Sequence, residues 1–207
     1  DVIESRGLGD VYKRQIISCS DDDDTILPSI SSTFTNLHAP QTGGMGQPIG
    51  GDFTKFNFST GQITTDTQEW DIAFRGTTII VNGGTKIGLN DEPNRNGAGA
   101  VGIANGTFSS ITSADVSSLS QDGSNSPAIP TGSGNGWYNY SGPPTFLITP
   151  IPGKILIVKT HDNRYAKVEI LSYYKDAPTN PNFMSSESRY YTFNYLYNPN
   201  EKDFNLN

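Results

Sequence analysis

Five side chains in this 207-residue sequence carry donor atoms that suit soft or borderline metals: two histidines, two methionines and one cysteine. His38 and Met45 lie in the first quarter of the chain, and His161 and Met184 lie in the last quarter. A zinc site needs several converging ligands, and two isolated histidines at this separation do not supply them. The single cysteine, Cys19, excludes a CxxC metal motif and an internal disulfide. The donors are therefore scattered and form no metal-binding motif.

No pattern typical of a catalytic site accompanies these donors. His161 is followed by Asp162, but no GxSxG motif supplies the serine of a hydrolase triad. The Gly-rich stretch 97–102 matches the dinucleotide-binding pattern as a string, yet it lacks the flanking strand and helix and is predicted to be a flexible loop. No context marks a general acid–base pair among the carboxylates Asp71, Glu169 and Glu187. The sequence predicts a protein that is not an enzyme.

Aromatic side chains are the other chemical resource. Trp137, Tyr138 and Tyr140 follow a Gly-rich loop and could stack on a planar ligand or a sugar ring. The alternative is that they are core aromatics at the start of a strand, which we favour for at least two of the three.

The elements that must position these side chains are β-strands. Apolar residues make up 34% of the chain and charged residues 17%, while Gly and Pro are abundant and 22 aromatic residues supply a core. This composition predicts an all-β protein of antiparallel sheets with long loops, folded over residues 52–207. Period-two alternation and short apolar runs predict strands at 53–58, 70–75, 77–81, 155–158, 165–170 and 190–197.

Charge and hydropathy exclude two classes of partner. The formal net charge is −7 and no basic stripe is present, so a nucleic-acid partner is excluded. No run of about 18 apolar residues occurs, so no segment is predicted to span a membrane.

The N-terminal residues are predicted to concern localisation. Residues 16–24 contain Cys19 after a small residue and branched apolar residues, followed by Asp21 to Asp24. This arrangement resembles the lipobox of bacterial lipoproteins, in which the cysteine is lipidated, followed by the acidic export signal of Bacteroidetes surface lipoproteins. Residues 1–15 resemble translated adapter sequence and are interpreted as non-native. Residues 25–51 are predicted to form a tether and a first loop.

Three segments resemble the HmuY family, and they occur in the family's order over about residues 53–198. Residues 70–76, with the sequence WDIAFRG, are similar to its central strand motif. Residues 152–154 leading into 165–170 are similar to its long hairpin, and 189–195 resemble its last strand.

The resemblance implies an all-β lipoprotein on the outer face of a Bacteroidetes outer membrane. Such proteins take haem from host carriers and pass it to a TonB-dependent receptor, and they bind haem between loops at one edge of the β-structure. The axial ligands implied are His or Met, so His161 and Met184 are the favoured pair here, with Met45 and His38 less favoured. The alternative is a non-enzymatic β-sheet module that has lost haem binding and recognises a glycan or host protein through Trp137, Tyr138 and Tyr140.

Overall fold

A computed structural model describes residues 26–207 of the chain. Over these residues it contains one short 3-10 helix, Val116–Ser118, and thirteen strands. The strands are β1 Ile30–His38, β2 Thr42–Gly44, β3 Gln47–Gly50, β4 Thr54–Asn57, β5 Gln62–Thr64, β6 Ile72–Arg75, β7 Thr78–Val81, β8 Ala100–Asn105, β9 Tyr138–Tyr140, β10 Ile148–Pro150, β11 Lys154–Lys159, β12 Tyr165–Tyr174 and β13 Ser188–Asn198. Cys19 and the whole segment 1–25 lie outside the described residues, so the predicted lipobox and adapter segment stay predictions.

The larger sheet has five antiparallel strands in the order β1-β13-β12-β11-β8. Its centre is the predicted hairpin of β11 and β12, in which Ile157 pairs with Lys167. Both faces of β11 are buried because Leu156 and Val158 face one hydrophobic cluster while Ile155 and Ile157 face another. The continuous apolar run in this strand is the sequence signature of that two-sided burial.

The smaller sheet has four antiparallel strands in the order β5-β4-β6-β7 and packs against the larger one. Aromatic rings form the contact: Phe193 of β13 lies 5.3 Å from Phe56 and 5.9 Å from Phe74, measured between ring centroids. The strand predicted at 190–197 is confirmed, and it has an aromatic face, since every second residue from Tyr191 to Tyr197 joins this core. The two sheets form an all-β sandwich of antiparallel sheets joined by long loops.

The WDIAFRG segment is buried on both faces, and this differs from the simple alternation that we predicted. Ile72 and Phe74 face the core between the sheets, but Trp70 precedes β6 and packs with Ala73 in a separate cluster on the outer side. Arg75 is also buried there, where its Nη1 donates to the carbonyl of Gly51 at 3.0 Å. The motif therefore builds the centre of the smaller sheet.

The structure differs from the predicted tether over residues 25–51. Ile30–His38 forms edge strand β1, which pairs with β13, and β2 and β3 form a small hairpin after it. The strand escaped prediction because a bulge between Phe34 and Leu37, with Asn36 at a φ of 59°, breaks the alternation. An edge strand also buries few side chains, so Ser and Thr fill four of its nine positions.

The Gly-rich stretch at 97–102 is also more ordered than predicted. Ala100–Asn105 is strand β8, which pairs with β11. Gly97 precedes it and lies so close to His161 that a Cβ atom on Gly97 would come within 2.6 Å of the His161 Cβ. The glycine thus permits close packing against the β11–β12 turn.

Candidate functional site

Strand β12 separates two regions that contain the candidate ligands. Residues 160–164, which we call the hairpin tip, join β11 to β12 at one end of the sheet. At the other end Tyr174 of β12 pairs with Ser188 of β13, and His38 of β1 pairs with Tyr190. We call this second region the loop end; it comprises residues 38–46, 140–147 and 175–187. The ten residues of β12 place the two regions roughly 30 Å apart.

At the loop end, two separate loops bring exposed aromatic rings together. The rings of Phe146 and Phe183 meet edge to face with their centroids 5.2 Å apart. Both side chains are large and apolar, yet Phe146 is 42% exposed and Phe183 49% exposed. Met184 follows Phe183 directly and is 81% exposed. An exposed cluster of this kind is typical of a surface that contacts a ligand or a partner.

The loop that carries Phe183 and Met184 is fixed by a turn around Asn182. The Asn182 side-chain oxygen accepts a hydrogen bond from the Met184 amide at 2.9 Å, and the Ser186 amide donates to the Asn182 carbonyl at 2.8 Å. The base of the loop is closed by Lys175, whose Nζ lies 3.2 Å from a carboxylate oxygen of Glu187. The exposure of Met184 is therefore a property of a defined turn.

The loop that carries Phe146 is anchored to the larger sheet. The amide of Ile148 donates to the Tyr174 hydroxyl at 3.0 Å, and the amide of Ser141 donates to the Leu147 carbonyl at 2.9 Å. Both loops thus attach to β12 near Tyr174, which explains how residues distant in sequence meet.

The two donors predicted as less favoured also lie at the loop end. The ring of His38 stacks on Tyr190 with a centroid distance of 4.4 Å. Met45 occupies the turn between β2 and β3 and is fully exposed. Arg189 connects this segment to the start of β13, because its Nη1 donates to the Gln41 carbonyl at 2.9 Å.

Two of the three aromatic residues at 137–140 lie in the core, which is the interpretation that we favour from the sequence. Trp137 is buried, its ring packs on Tyr138 and Tyr191, and its Nε1 donates to the Thr77 carbonyl at 3.0 Å. Tyr138 is also buried, so neither it nor Trp137 presents a face to a ligand. Tyr140 is exposed and is the one member of the three that a ligand could contact.

His161 lies at the hairpin tip in a polar environment. Its Nδ1 is 2.7 Å from an oxygen of Asp71, and the same oxygen accepts the backbone amide of His161 at 3.0 Å. Asp71 is 1% exposed, and its second oxygen accepts the amide of Phe58 at 2.7 Å. The hydrogen bond to Asp71 raises the pKa of His161, and burial opposes this only in part.

The structure does not bring His161 and Met184 together. One iron atom holds both axial ligands within a few ångströms, whereas these residues lie at opposite ends of β12. The favoured pair was therefore wrong as a pair, because a single strand separates the two residues and the loops that flank a strand lie at its opposite ends. Met184 instead shares its end of the sheet with His38, Met45 and Tyr140.

A separate cleft of about 660 Å³ lies between the smaller sheet and the loop after β7. Phe53, Ile63 and Pro93 supply its apolar surface, and its lining contains no histidine or methionine. The carboxylates of Asp52, Asp91 and Glu92 also line it, against the single cation of Lys55, and would repel an anionic porphyrin. The cleft does not fit the donor requirement of a haem site.

The model of the family described as HmuY protein matches residues 51–195, which is more than half of the chain. The chain belongs to the HmuY family. No curated protein matches it.

Solved structures of HmuY-like proteins resemble the chain at low sequence identity. The apo HmuY analog of Tannerella forsythia is 14% identical with a TM-score of 0.54, and the match covers 86% of this chain and all of that one. An HmuY-like protein from Bacteroides vulgatus, assigned as heme-binding, is 18% identical with a TM-score of 0.46, over 86% of this chain and 96% of that one. A protein from Bacteroides fragilis assigned as a lipoprotein is 16% identical with a TM-score of 0.45, over 83% and 90%. The Tannerella protein shows that this HmuY-family chain shares its fold.

Sequence reasoning missed three residues of these regions of the HmuY-family chain. Phe146 and Phe183 are isolated aromatics in Pro-containing loops, and nothing in their local sequence signals that they meet. Asp71 lies in a segment predicted as a strand, and nothing near it in the sequence indicates that it is buried beside a histidine 90 positions away. Only knowledge of strand order could have found these contacts.

Proposed function

We propose that this HmuY-family protein binds haem, or a related porphyrin, at the loop end and catalyses no reaction on it. The observation that carries the proposal is the exposed contact of Phe146 with Phe183 beside the exposed thioether of Met184. A porphyrin needs apolar surface for its faces and a nitrogen or sulfur donor for its iron. The loop end offers both, and membership of the HmuY family supports the assignment.

Met184 is the axial ligand that we propose. Its side chain is 81% exposed on a turn fixed by Asn182, so the sulfur can reach an iron without unfolding the loop. The second axial ligand would come from the donors at the same end, which are His38, Met45 and the phenol of Tyr140. Tyr173 is less suitable as a phenolate, because burial raises its pKa well above the ordinary range.

The proposed cellular role follows from the family and from Cys19. We propose that lipid on Cys19 anchors the protein to the outer membrane with the β domain facing the exterior. The described residues include no helix that is both long and apolar enough to cross a membrane. In this role the protein would take haem from a host carrier and deliver it to a TonB-dependent receptor.

The direct test is a titration of the full chain with haemin, followed by visible absorbance in the oxidised and reduced states. We expect a saturable Soret shift at one equivalent. Met184→Leu keeps the size and apolar character of the side chain but removes the sulfur, so it should weaken binding at least about tenfold or change the spectrum. His161→Gln should leave the spectrum unchanged.

Met45→Leu is the comparison variant, because Met45 is the other methionine of the chain, is exposed on another loop of the same end, and is one of the candidates for the second ligand. An equal effect of both methionine substitutions would identify Met45 as the second ligand, whereas an effect of Met45→Leu alone would contradict the assignment of Met184. No saturable shift in either redox state would exclude haem binding. A screen of glycans and host proteins against Tyr140→Ala would then test the alternative function.

A further inference from the structure

The hairpin tip contains a second cluster of potential ligands, separate from the loop end. Asp71, His161 and Asp162 each place one donor atom so that all three atoms lie within 4.8 Å of one another. One nitrogen and two carboxylate oxygens form a ligand set that suits a divalent transition metal. The set combines the turn that joins β11 to β12 in the larger sheet with Asp71, the residue directly before strand β6 of the smaller sheet.

The buried carboxylate of Asp71 needs a positive partner, and the described residues supply only His161 in an ion pair with it. Its hydrogen bonds come from the amides of Phe58 and His161 and from the His161 ring. When the imidazole is neutral, a buried negative charge is left with hydrogen bonds alone. A bound cation would supply the missing charge.

Further charges make the hairpin tip attractive to a cation. Besides Asp71, the carboxylates of Asp66, Glu69 and Asp162 act on His161 through space. Opposing them, the guanidinium of Arg164 contacts Asp162 and also donates through Nε to the Pro199 carbonyl at 2.7 Å. Lys55 is a second cationic group and acts on Asp66. Carboxylates still outnumber cationic groups around the ring, and the hydroxyl of Tyr197 also lies close to these charges.

We propose that the hairpin tip binds a divalent transition-metal ion through His161, Asp71 and Asp162. The ion takes the place of the proton between His161 Nδ1 and the Asp71 oxygen, and that proton leaves to solvent. These two atoms are 2.7 Å apart, and two ligands of a tetrahedral zinc ion are separated by about 3.3 Å. The distance between the two atoms must therefore increase by about half an ångström, and we expect His161 to move, because its side chain is 18% exposed. Asp162 is 35% exposed and leaves room for water as a further ligand.

The test uses Co²⁺ as a spectroscopic probe and Zn²⁺ as its competitor. The full chain carries Cys19→Ser in every variant, so that the thiol does not bind the probe. We expect Co²⁺ to bind at one equivalent, with a visible absorbance band that Zn²⁺ abolishes. Because the metal replaces a proton, binding should weaken about tenfold for each pH unit below the pKa of His161.

His161→Gln and Asp162→Asn should each weaken binding by about tenfold or more. His38→Gln is the matched control, since His38 is the other histidine of the chain and lies at the loop end. Arg164→Gln should strengthen binding, because it frees Asp162 from the guanidinium. If His161→Gln fails to fold, Asp162→Asn and Arg164→Gln decide the question, since both side chains are more exposed.

Three results would overturn the proposal. They are the absence of a saturable band, a loss of binding in His38→Gln that equals the loss in His161→Gln, and unchanged binding in Asp162→Asn. The second result would mean that exposed histidines bind the probe non-specifically. None of these readouts involves haem, so the metal proposal and the proposed function can fail separately.

Discussion

The loop end and the hairpin tip are the two ends of the same strand, yet their chemistry is opposite. The loop end exposes phenylalanine rings and a thioether on surface loops, and its ion pair of Lys175 with Glu187 is open to solvent. The hairpin tip has no exposed aromatic pair; its carboxylate is buried and its histidine is held by two contacts to one oxygen. An apolar ligand whose iron accepts a thioether suits the first, and a proton or a divalent transition-metal ion suits the second.

This difference shows that a donor residue is informative only together with its surroundings. His161 is the better oriented donor of the chain, because Asp71 fixes its ring. It nevertheless lies among carboxylates that would repel the propionates of haem. Met184 has no such orientation, but it lies beside the apolar surface that a porphyrin needs.

The largest difference in stability is expected within residues 137–140, where a buried and an exposed aromatic side chain lie close together in sequence. Trp137→Ala should lower the free energy of unfolding by about 3–5 kcal/mol, because the ring is buried against Tyr138 and Tyr191 and its Nε1 bond is lost. Tyr140→Ala, a neighbouring exposed aromatic, should change it by less than about 0.5 kcal/mol. Urea unfolding measures both. Equal effects would mean that the division of this segment into core and surface is wrong.

The second-largest difference in the free energy of unfolding is expected between the ion pairs of the two ends. Asp71→Asn should cost about 2 kcal/mol, because a buried charge-assisted hydrogen bond to His161 becomes a neutral one. Glu187→Gln at the loop end should leave the unfolding curve unchanged, since that pair is exposed and screened by water. Measurement at about pH 6 keeps His161 charged. A larger loss for Glu187→Gln would reverse the comparison.

The pH dependence of stability should identify the hairpin tip as the titrating end. The pKa of His161 is raised in the folded protein above an unfolded value of about 6.5. Its contribution to stability is therefore fully present below the unfolded pKa and is lost as the pH rises through the folded pKa. The difference in unfolding free energy between the natural chain and His161→Gln should shrink over that range, in a series of urea titrations. A difference that grows with pH would show that the pKa of His161 is lowered.

The smallest effect on stability is expected from the residue proposed to matter most for ligand binding. Met184→Leu should change the unfolding free energy by less than about 0.5 kcal/mol, because the side chain is exposed and contributes little to the core. Thermal unfolding without haemin measures this. A large loss of stability would mean that Met184 supports the loop, and a weakened haem spectrum would then no longer report ligation.

The sequence predicted those parts of the fold that local patterns encode. It predicted the candidate site only in part, because the site depends on contacts between distant segments. The β11–β12 hairpin was predictable because a continuous apolar run and an alternating strand flank a polar turn. Edge strand β1 was not, because its bulge breaks the alternation. The contacts of Phe146 with Phe183 and of Asp71 with His161 depend on which strands are neighbours, and no local property of the chain encodes that.

The central claim is that haem binds at the loop end, and hydrogen exchange tests it most directly. Backbone amides of the full chain would be compared with and without one equivalent of haemin, and the change would be mapped onto the two ends of β12. The account predicts slower exchange in residues 141–147 and 175–187, with no change at 160–164. Protection of 160–164 alone would place the ligand at the hairpin tip and contradict the account.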